Sequence, residues 1–175
     1  SCDDMTQSVI NAAVVRGSTI VVAAGNDGKD VRNSWPANCR NVVSVGASNS
    51  VGKRADFSNY GNDVDLSAPG AGIWSTSNTG TGGPASPTYH RHDGTSMAAP
   101  HVAGVAALSA QAHPEWSAPQ LAASVVSTAD PDTVVGESIV MPSASRMLDT
   151  TRSMIRNGRK IKKPIWNAAV SSLTV

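Results

Sequence analysis

The run Thr19-Ile-Val-Val-Ala-Ala24 constrains the fold of this chain more than any other segment. It is continuously apolar, only six residues long, and it stops at Gly25-Asn26. A strand with one wet face alternates apolar and polar residues. An unbroken run this short suits a strand covered on both faces, as in a parallel sheet between helices. A helical pattern precedes it. Met5, Val9, Ala12 and Ala13 share one face of residues 3–16, with Asp3 or Asp4 as cap and Gly17 as stop. Helix followed by buried strand points to an α/β architecture. Asn41-Val-Val-Ser-Val-Gly-Ala47 reads as a second strand and Val64-Asp-Leu66 as a shorter third.

Residues 75–94 are rich in Ser, Thr, Gly and Pro and read as a loop, with His90 and His92 near its end. From Met97 to Ala112 the chain turns Ala- and Val-rich on every side, the pattern of a helix buried all round, with Pro100 expected in its first turn. Ser117-Ala-Pro-Gln120 is a capping box opening a further helix, whose inner side carries Leu121 and Val125. Beyond Asp130 the character shifts. Residues 131–175 hold seven Lys/Arg against three Asp/Glu, whereas 1–130 hold seven against ten. The expected division is therefore a domain segment at 1–130 and a basic tail at 131–175, with an amphipathic helix at 143–157. The Arg159-to-Lys163 run reads as solvated surface.

A net charge of +1 over 175 residues gives no case for a nucleic-acid partner. No apolar run approaches the roughly 20 residues of a membrane helix, so no membrane partner is expected. Cys2 and Cys39 lack the spacing of a metal-binding pair and are either one bridge or two buried thiols.

Two places could carry chemistry, 70 positions apart. Asn26 puts an uncharged amide just past the end of a buried strand, where active sites collect in parallel sheets. Ser96 opens a buried helix, among free amides and at the positive end of the helix dipole. Those surroundings suit a nucleophile whose attack generates an oxyanion. Taken singly, Ser96 reads as a cap and Asn26 as a turn residue.

Together they resemble a known family. Gly94-Thr-Ser-Met-Ala-Ala-Pro-His-Val-Ala-Gly104 is similar to the nucleophile motif of the subtilisin-like serine peptidases, the subtilases. Val22-Ala-Ala-Gly-Asn26 resembles their oxyanion segment, and Phe57-Ser-Asn-Tyr-Gly61 with Ser67-Ala-Pro-Gly70 matches the stretch between. The likeness covers about residues 1–130, and Gly136-Glu-Ser-Ile-Val140 resembles the family's closing strand less well. The resemblance implies the C-terminal part of a three-layer α/β catalytic domain with a mainly parallel sheet. It also implies hydrolysis of peptide bonds in a peptide or protein substrate. Ser96 would be the nucleophile, Asn26 an oxyanion donor, and Ala23, Ala24 and Gly25 one wall of the pocket for the side chain preceding the scissile bond. No cofactor is required for that chemistry.

One departure matters. The family's chain order is Asp, His, Ser, and neither an aspartate nor a His-Gly-Thr-His-type motif lies upstream of Ser96. His101 belongs to the nucleophile motif and is structural there. His113 ends a helix. His90 and His92 are the remaining candidates for a replacement base. Three alternatives stay open: the C-terminal part of a secreted subtilase whose missing N-terminal segment supplies Asp and His, a truncated or pseudoenzyme product that cleaves nothing, and a non-enzymatic peptide-binding module. The start at Ser1-Cys2-Asp3 is expected of a processed product or of a chain whose front is missing. An uncovered apolar strand edge would then leave residues 1–175 alone poorly soluble or molten.

Related secreted bacterial members join a cysteine before the first helix to one in a Pro-Ala-Asn-Cys segment, which implies a Cys2–Cys39 bridge and a secreted, extracellular protein. Some relatives also hold structural calcium. By resemblance its ligands here would be Asp65 and the backbone carbonyls of Arg40 and Val42.

Overall fold

The structure is a computed structural model that describes residues 2–130 and the two-residue strand 141–142. The amphipathic helix expected at 143–157, the 136–140 strand and the basic run lie outside the described residues. The described residues lie in one compact unit. Within it, helix α1 (Asp4–Val15) leads to strand β1 (Val21–Ala23) and a short 3-10 turn at Val31–Asn33. Strands β2 (Val43–Ser48), β3 (Leu66–Pro69), β4 (Ile73–Asn78) and β5 (Pro87–His92) follow. Helices α2 (Thr95–Ala112) and α3 (Ala118–Ser127) come next, then β6 (Ala129–Asp130) paired with β7 (Met141–Pro142).

The central sheet runs β1-β2-β3, and both pairings are parallel. Period-2 alternation sorts its side chains into two layers. Val43, Val45, Ala47, Leu66 and Ala68 pack with Ala98, Val102 and Ala106 of α2 and Val125 of α3. On the other face Val22 and Ala24 meet Val31, Ala37 and Val64. Strand β2 lies between two neighbours and is buried throughout. Its small residues allow close approach on the second face, where a Cβ added to Gly46 would lie 2.7 Å from Ser67 Oγ.

Strand β1 is shorter than its sequence run and half-buried, with β2 as its sole described neighbour. Strand β3 begins at Leu66 rather than Val64. The Val64 amide closes a turn onto Gly61, and its side chain fills the second layer.

Helix α1 has the expected cap, with Asp3 accepting from the Thr6 amide, but it presents a different face. Met5 and Val9 are 80% and 64% exposed, and Ile10 is buried instead. Polar contacts set that rotation. Gln7 donates to the Arg40 carbonyl and accepts from the Arg40 amide, while Asn11 accepts from Asn41. The Cys2–Cys39 disulfide, with Cα atoms 5.0 Å apart, pins the same end. These bonds turn Gln7 and Asn11 toward the 40–41 segment and the predicted apolar stripe toward solvent.

Residues 75–94 are not a loop. Strands β4 and β5 form an antiparallel ladder of six residue pairs from Ile73↔His92 to Asn78↔Pro87. Trp, Ile, Thr and Tyr favour strands, and the Gly/Pro-rich composition is concentrated in the tip at 79–86. Helix α2 starts at Thr95, so Pro100 falls in the second turn, where it withholds an amide from the Ser96 carbonyl. Burial along α2 is one-sided. Thr95, Ala98, Val102, Ala106 and Ser109 are buried, while Ala103, Gly104, Ala107 and Leu108 are exposed among the described residues. Helix α3 has its predicted capping box, in which the Ser117 amide donates to Gln120 Oε1 at 2.8 Å.

Candidate active site

The C-terminal end of β1 and the N-terminus of α2 meet through one buried hydroxyl. Thr95 is fully buried at the first position of α2. Its Oγ1 accepts from the Gly25 amide at 3.1 Å and donates to Asn26 Oδ1 at 2.9 Å. The Thr95 backbone amide donates to the same Oδ1 at 2.8 Å. Two donors on one amide oxygen fix the Asn26 side chain, and its Nδ2 group is left to face outward as a hydrogen-bond donor.

Gly94 marks where that donor lies. A Cβ added to Gly94 would lie 3.5 Å from Asn26 Nδ2 and 3.7 Å from the Ser96 amide nitrogen. Both donors therefore border the same small space beside the start of α2. The neighbouring amides are used elsewhere, that of Thr95 on Asn26 and that of Met97 on the Gly94 carbonyl. Ser96 is exposed at the second position of the helix, where backbone N–H groups have no intrahelical acceptor and the helix dipole is positive. Such an arrangement can accept a developing negative charge.

The turn after β1 is held by Asn59, which is fully buried. Its Oδ1 accepts from the Asp27 and Lys29 amides at 3.0 and 3.1 Å. Its Nδ2 donates to the Ala24 carbonyl at 2.9 Å and to Ser34 Oγ at 2.7 Å. Gly25 adopts φ +104°, and a Cβ there would stand 2.4 Å from Asn59 Nδ2. Only glycine fits both the conformation and the space. Residue-by-residue reading of the sequence assigned roles to neither Asn59 nor Thr95. The Phe57-to-Gly61 and Gly94-Thr-Ser matches were the available signals.

The remaining candidates spread over the unit. Ala24 is buried in the second layer, away from α2, whereas Ala23 and Gly25 are half-buried. His101 Nδ1 contacts the Met97 carbonyl at 2.8 Å, one turn up its own helix. His113 stacks on Trp116 with ring centroids 3.7 Å apart. His90 and His92 sit exposed on β5. Among the described residues no histidine is hydrogen-bonded to Ser96. Asp65 Oδ2 accepts from the Ser44 amide at 2.8 Å, and desolvation, with a smaller push from the charge of Asp63, holds its carboxyl above the usual range. The Arg40 carbonyl is shared with Gln7. Among the described residues no three His, Cys, Asp or Glu side chains are grouped to hold a metal ion, and no helix is long and apolar enough to cross a membrane.

Known proteins resemble this chain in sequence and in backbone. An extracellular protease of Xanthomonas campestris is 56% identical over 108 residues, which cover 62% of this chain and 19% of that protein. An extracellular basic protease of Dichelobacter nodosus is 51% identical over 107 residues, 61% of this chain and 18% of that one. The chain thus spans about a fifth of the length of these curated relatives. Among solved structures, a protease from Pseudoalteromonas arctica superposes with a TM-score of 0.77 at 41% identity, over 85% of this chain and 48% of that one. A cold-adapted subtilisin-like serine proteinase superposes with a TM-score of 0.70 at 32% identity, over 82% and 52%. The fold is therefore the α/β fold of subtilisin-like proteins. The sequence profile of the Subtilase family matches residues 1–158, nine-tenths of the chain, and with the Asn26–Thr95–Ser96 junction in place the chain belongs to the subtilase family.

Proposed function

We propose that this chain carries the nucleophile and oxyanion site of a secreted serine endopeptidase. The observation that carries the proposal is the shared space beside Gly94, bordered by Asn26 Nδ2 and the Ser96 amide. Ser96 Oγ attacks the substrate's peptide carbonyl carbon, and the carbonyl oxygen becomes the oxyanion of a tetrahedral intermediate. That oxygen sits between the two donors, which are already oriented and need no rearrangement as charge develops. The hydroxyl proton passes to a histidine, held by an aspartate, on a further subtilase segment that acts as partner to residues 1–175. The backbone of 23–25, with the small side chain of Ala23, walls the pocket for the residue before the scissile bond.

Serine is a weak nucleophile without a base to take its proton. Residues 1–175 alone are therefore expected to cleave no peptide and to leave Ser96 unlabelled by fluorophosphonates. Adding an upstream subtilase segment with Asp and His, in cis or as a co-folded chain, should restore both, and Ser96→Ala should abolish them. Robust labelling of Ser96 in the isolated chain would overturn this and return attention to His90 and His92.

Secretion rests on the Cys2–Cys39 disulfide, a bond that persists in oxidising compartments, and on the extracellular description of the two bacterial relatives. Two free thiols in native material would count against it. Structural calcium at Asp65, with the carbonyls of Arg40 and Val42, fits on donor chemistry: one carboxylate and two carbonyl oxygens suit a hard cation. A cation would also relieve the burial cost that raises the Asp65 carboxyl. Chelator treatment should then lower the thermal midpoint of the complete protein, and an unchanged midpoint would remove calcium from the account.

A further inference from the structure

The β4–β5 hairpin carries a histidine pair that neither the fold nor the proposed peptide chemistry uses. His90 and His92 alternate with Arg91 on β5, so both imidazoles stand on one face of the ladder. Both are exposed, and their ring centroids are 6.4 Å apart. Arg91 lies on the opposite face beside its cross-strand partner Trp74, 5.9 Å from that ring, which keeps its positive charge away from the imidazoles. Across the ladder His90 faces Ser75 and His92 faces Ile73. On the histidine face of the ladder, then, neither cross-strand partner carries a positive charge.

From this geometry we infer a surface site for a borderline divalent transition ion, Zn²⁺ or Cu²⁺, chelated by His90 and His92. Neutral imidazole is the common protein ligand for both ions. With metal–nitrogen bonds of about 2.0–2.1 Å, two imidazoles on one tetrahedral ion have centroids about 5 Å apart. The two rings reach that spacing by rotation about their own χ angles, and exposure leaves them free to rotate. Water completes the coordination, so the site is open and exchangeable rather than structural. It stands on the strand that runs through Asp93 and Gly94 into Ser96. The base of that strand is tied by the Gly72 amide on Asp93 and by the Gly94 amide on the Gly70 carbonyl at 2.8 Å. A bound ion would restrain the segment feeding the nucleophile. The site itself does not depend on the peptidase proposal.

The test is direct binding to the complete protein, with no substrate present. One equivalent of Cu²⁺, read by electron paramagnetic resonance, should show nitrogen splitting from two imidazoles, reduced to one in His90→Ala or His92→Ala. Calorimetric titration with Zn²⁺ should give one site, at least about tenfold weaker in either variant. Arg91→Ala, on the other face of the same strand, and His113→Ala, on a different element, should both leave binding unchanged. Circular dichroism of each variant verifies that the fold is kept. A two-nitrogen signal persisting in the His90→Ala/His92→Ala double variant, or Zn²⁺ affinity within twofold of the parent, would overturn the assignment.

Discussion

The two segments that converge on Ser96 are built on opposite principles. Downstream of β1, the 24–29 turn is fixed by buried amides: the Asn59 side chain alone makes four hydrogen bonds, and Thr95 ties the turn to α2. Upstream, the β4–β5 hairpin has most of its side chains in solvent and is held by its own ladder and by the ties at its base. A buried polar network makes position costly to change, because each lost partner leaves a desolvated group unsatisfied. An exposed ladder makes sequence cheap to change. On the Asn26 side the atoms are fixed. The hairpin side leaves most of its side chains, two histidines among them, in solvent.

The largest expected effect tests that contrast at its centre. Asn59→Ala in the complete protein should cost on the order of 3–4 kcal/mol, since two backbone amides and a carbonyl lose their buried partner together. Thermal or urea unfolding measures it. A loss below about 1 kcal/mol would mean that water replaces the side chain and the turn is not held as described. Gly25→Ala should cost roughly 2–3 kcal/mol, from a left-handed backbone and the crowding of Asn59. Thr95→Val keeps the volume but removes the hydroxyl. It should cost about 2 kcal/mol and, in the assembled peptidase, lower kcat with little change in KM, because the Asn26 amide loses one of its two anchors. Removing the Asn26 amide itself should cost about 100- to 1000-fold in kcat, a figure carried over from a subtilisin rather than calculated from this chain.

Asp65 supplies a pH-dependent comparison. Its folded carboxyl is raised above the unfolded value, so its contribution to stability is fully present below the unfolded pKa and lost as pH rises through the folded one. With chelator present, Asp65→Asn should therefore be neutral to stabilising at neutral pH, and the difference should vanish in acid. If calcium binds there, its addition reverses the sign. The smallest effect belongs to the hairpin tip. Replacing residues 79–86 with Asn-Gly joins the paired Asn78 and Pro87 through a two-residue turn and should shift stability by less than about 0.5 kcal/mol.

Legibility in the sequence divides along the same line. The β2 strand, the α1 and α3 caps and the Ser96 helix follow from local chemistry and were readable. The facing of α1 was not, because Gln7 and Asn11 are set by bonds to Arg40 and Asn41, some thirty positions away. The hairpin was hidden by its own tip, whose Gly and Pro residues outweigh the few strong strand formers beside it, Ile73, Trp74 and Thr76 on one side and Thr88 and Tyr89 on the other. Ser96 and Asn26 stood out only as a motif pair. Thr95 and Asn59, which position them, are ordinary polar residues until burial reveals what they hold. The sequence also could not say that Ala24 turns into the second layer, since a single residue of register decides it.

The disulfide has a further consequence for how damage to this protein would be seen. Cys2 and Cys39 enclose α1, β1 and the exposed turn at 26–29 in one covalent ring. A protease that cuts within that turn severs the chain beside Asn26 yet releases nothing. The two pieces travel together on a non-reducing gel at nearly the intact mass, and only a reductant separates them. Autolysis in this ring would be silent to any assay of size that leaves the disulfide in place.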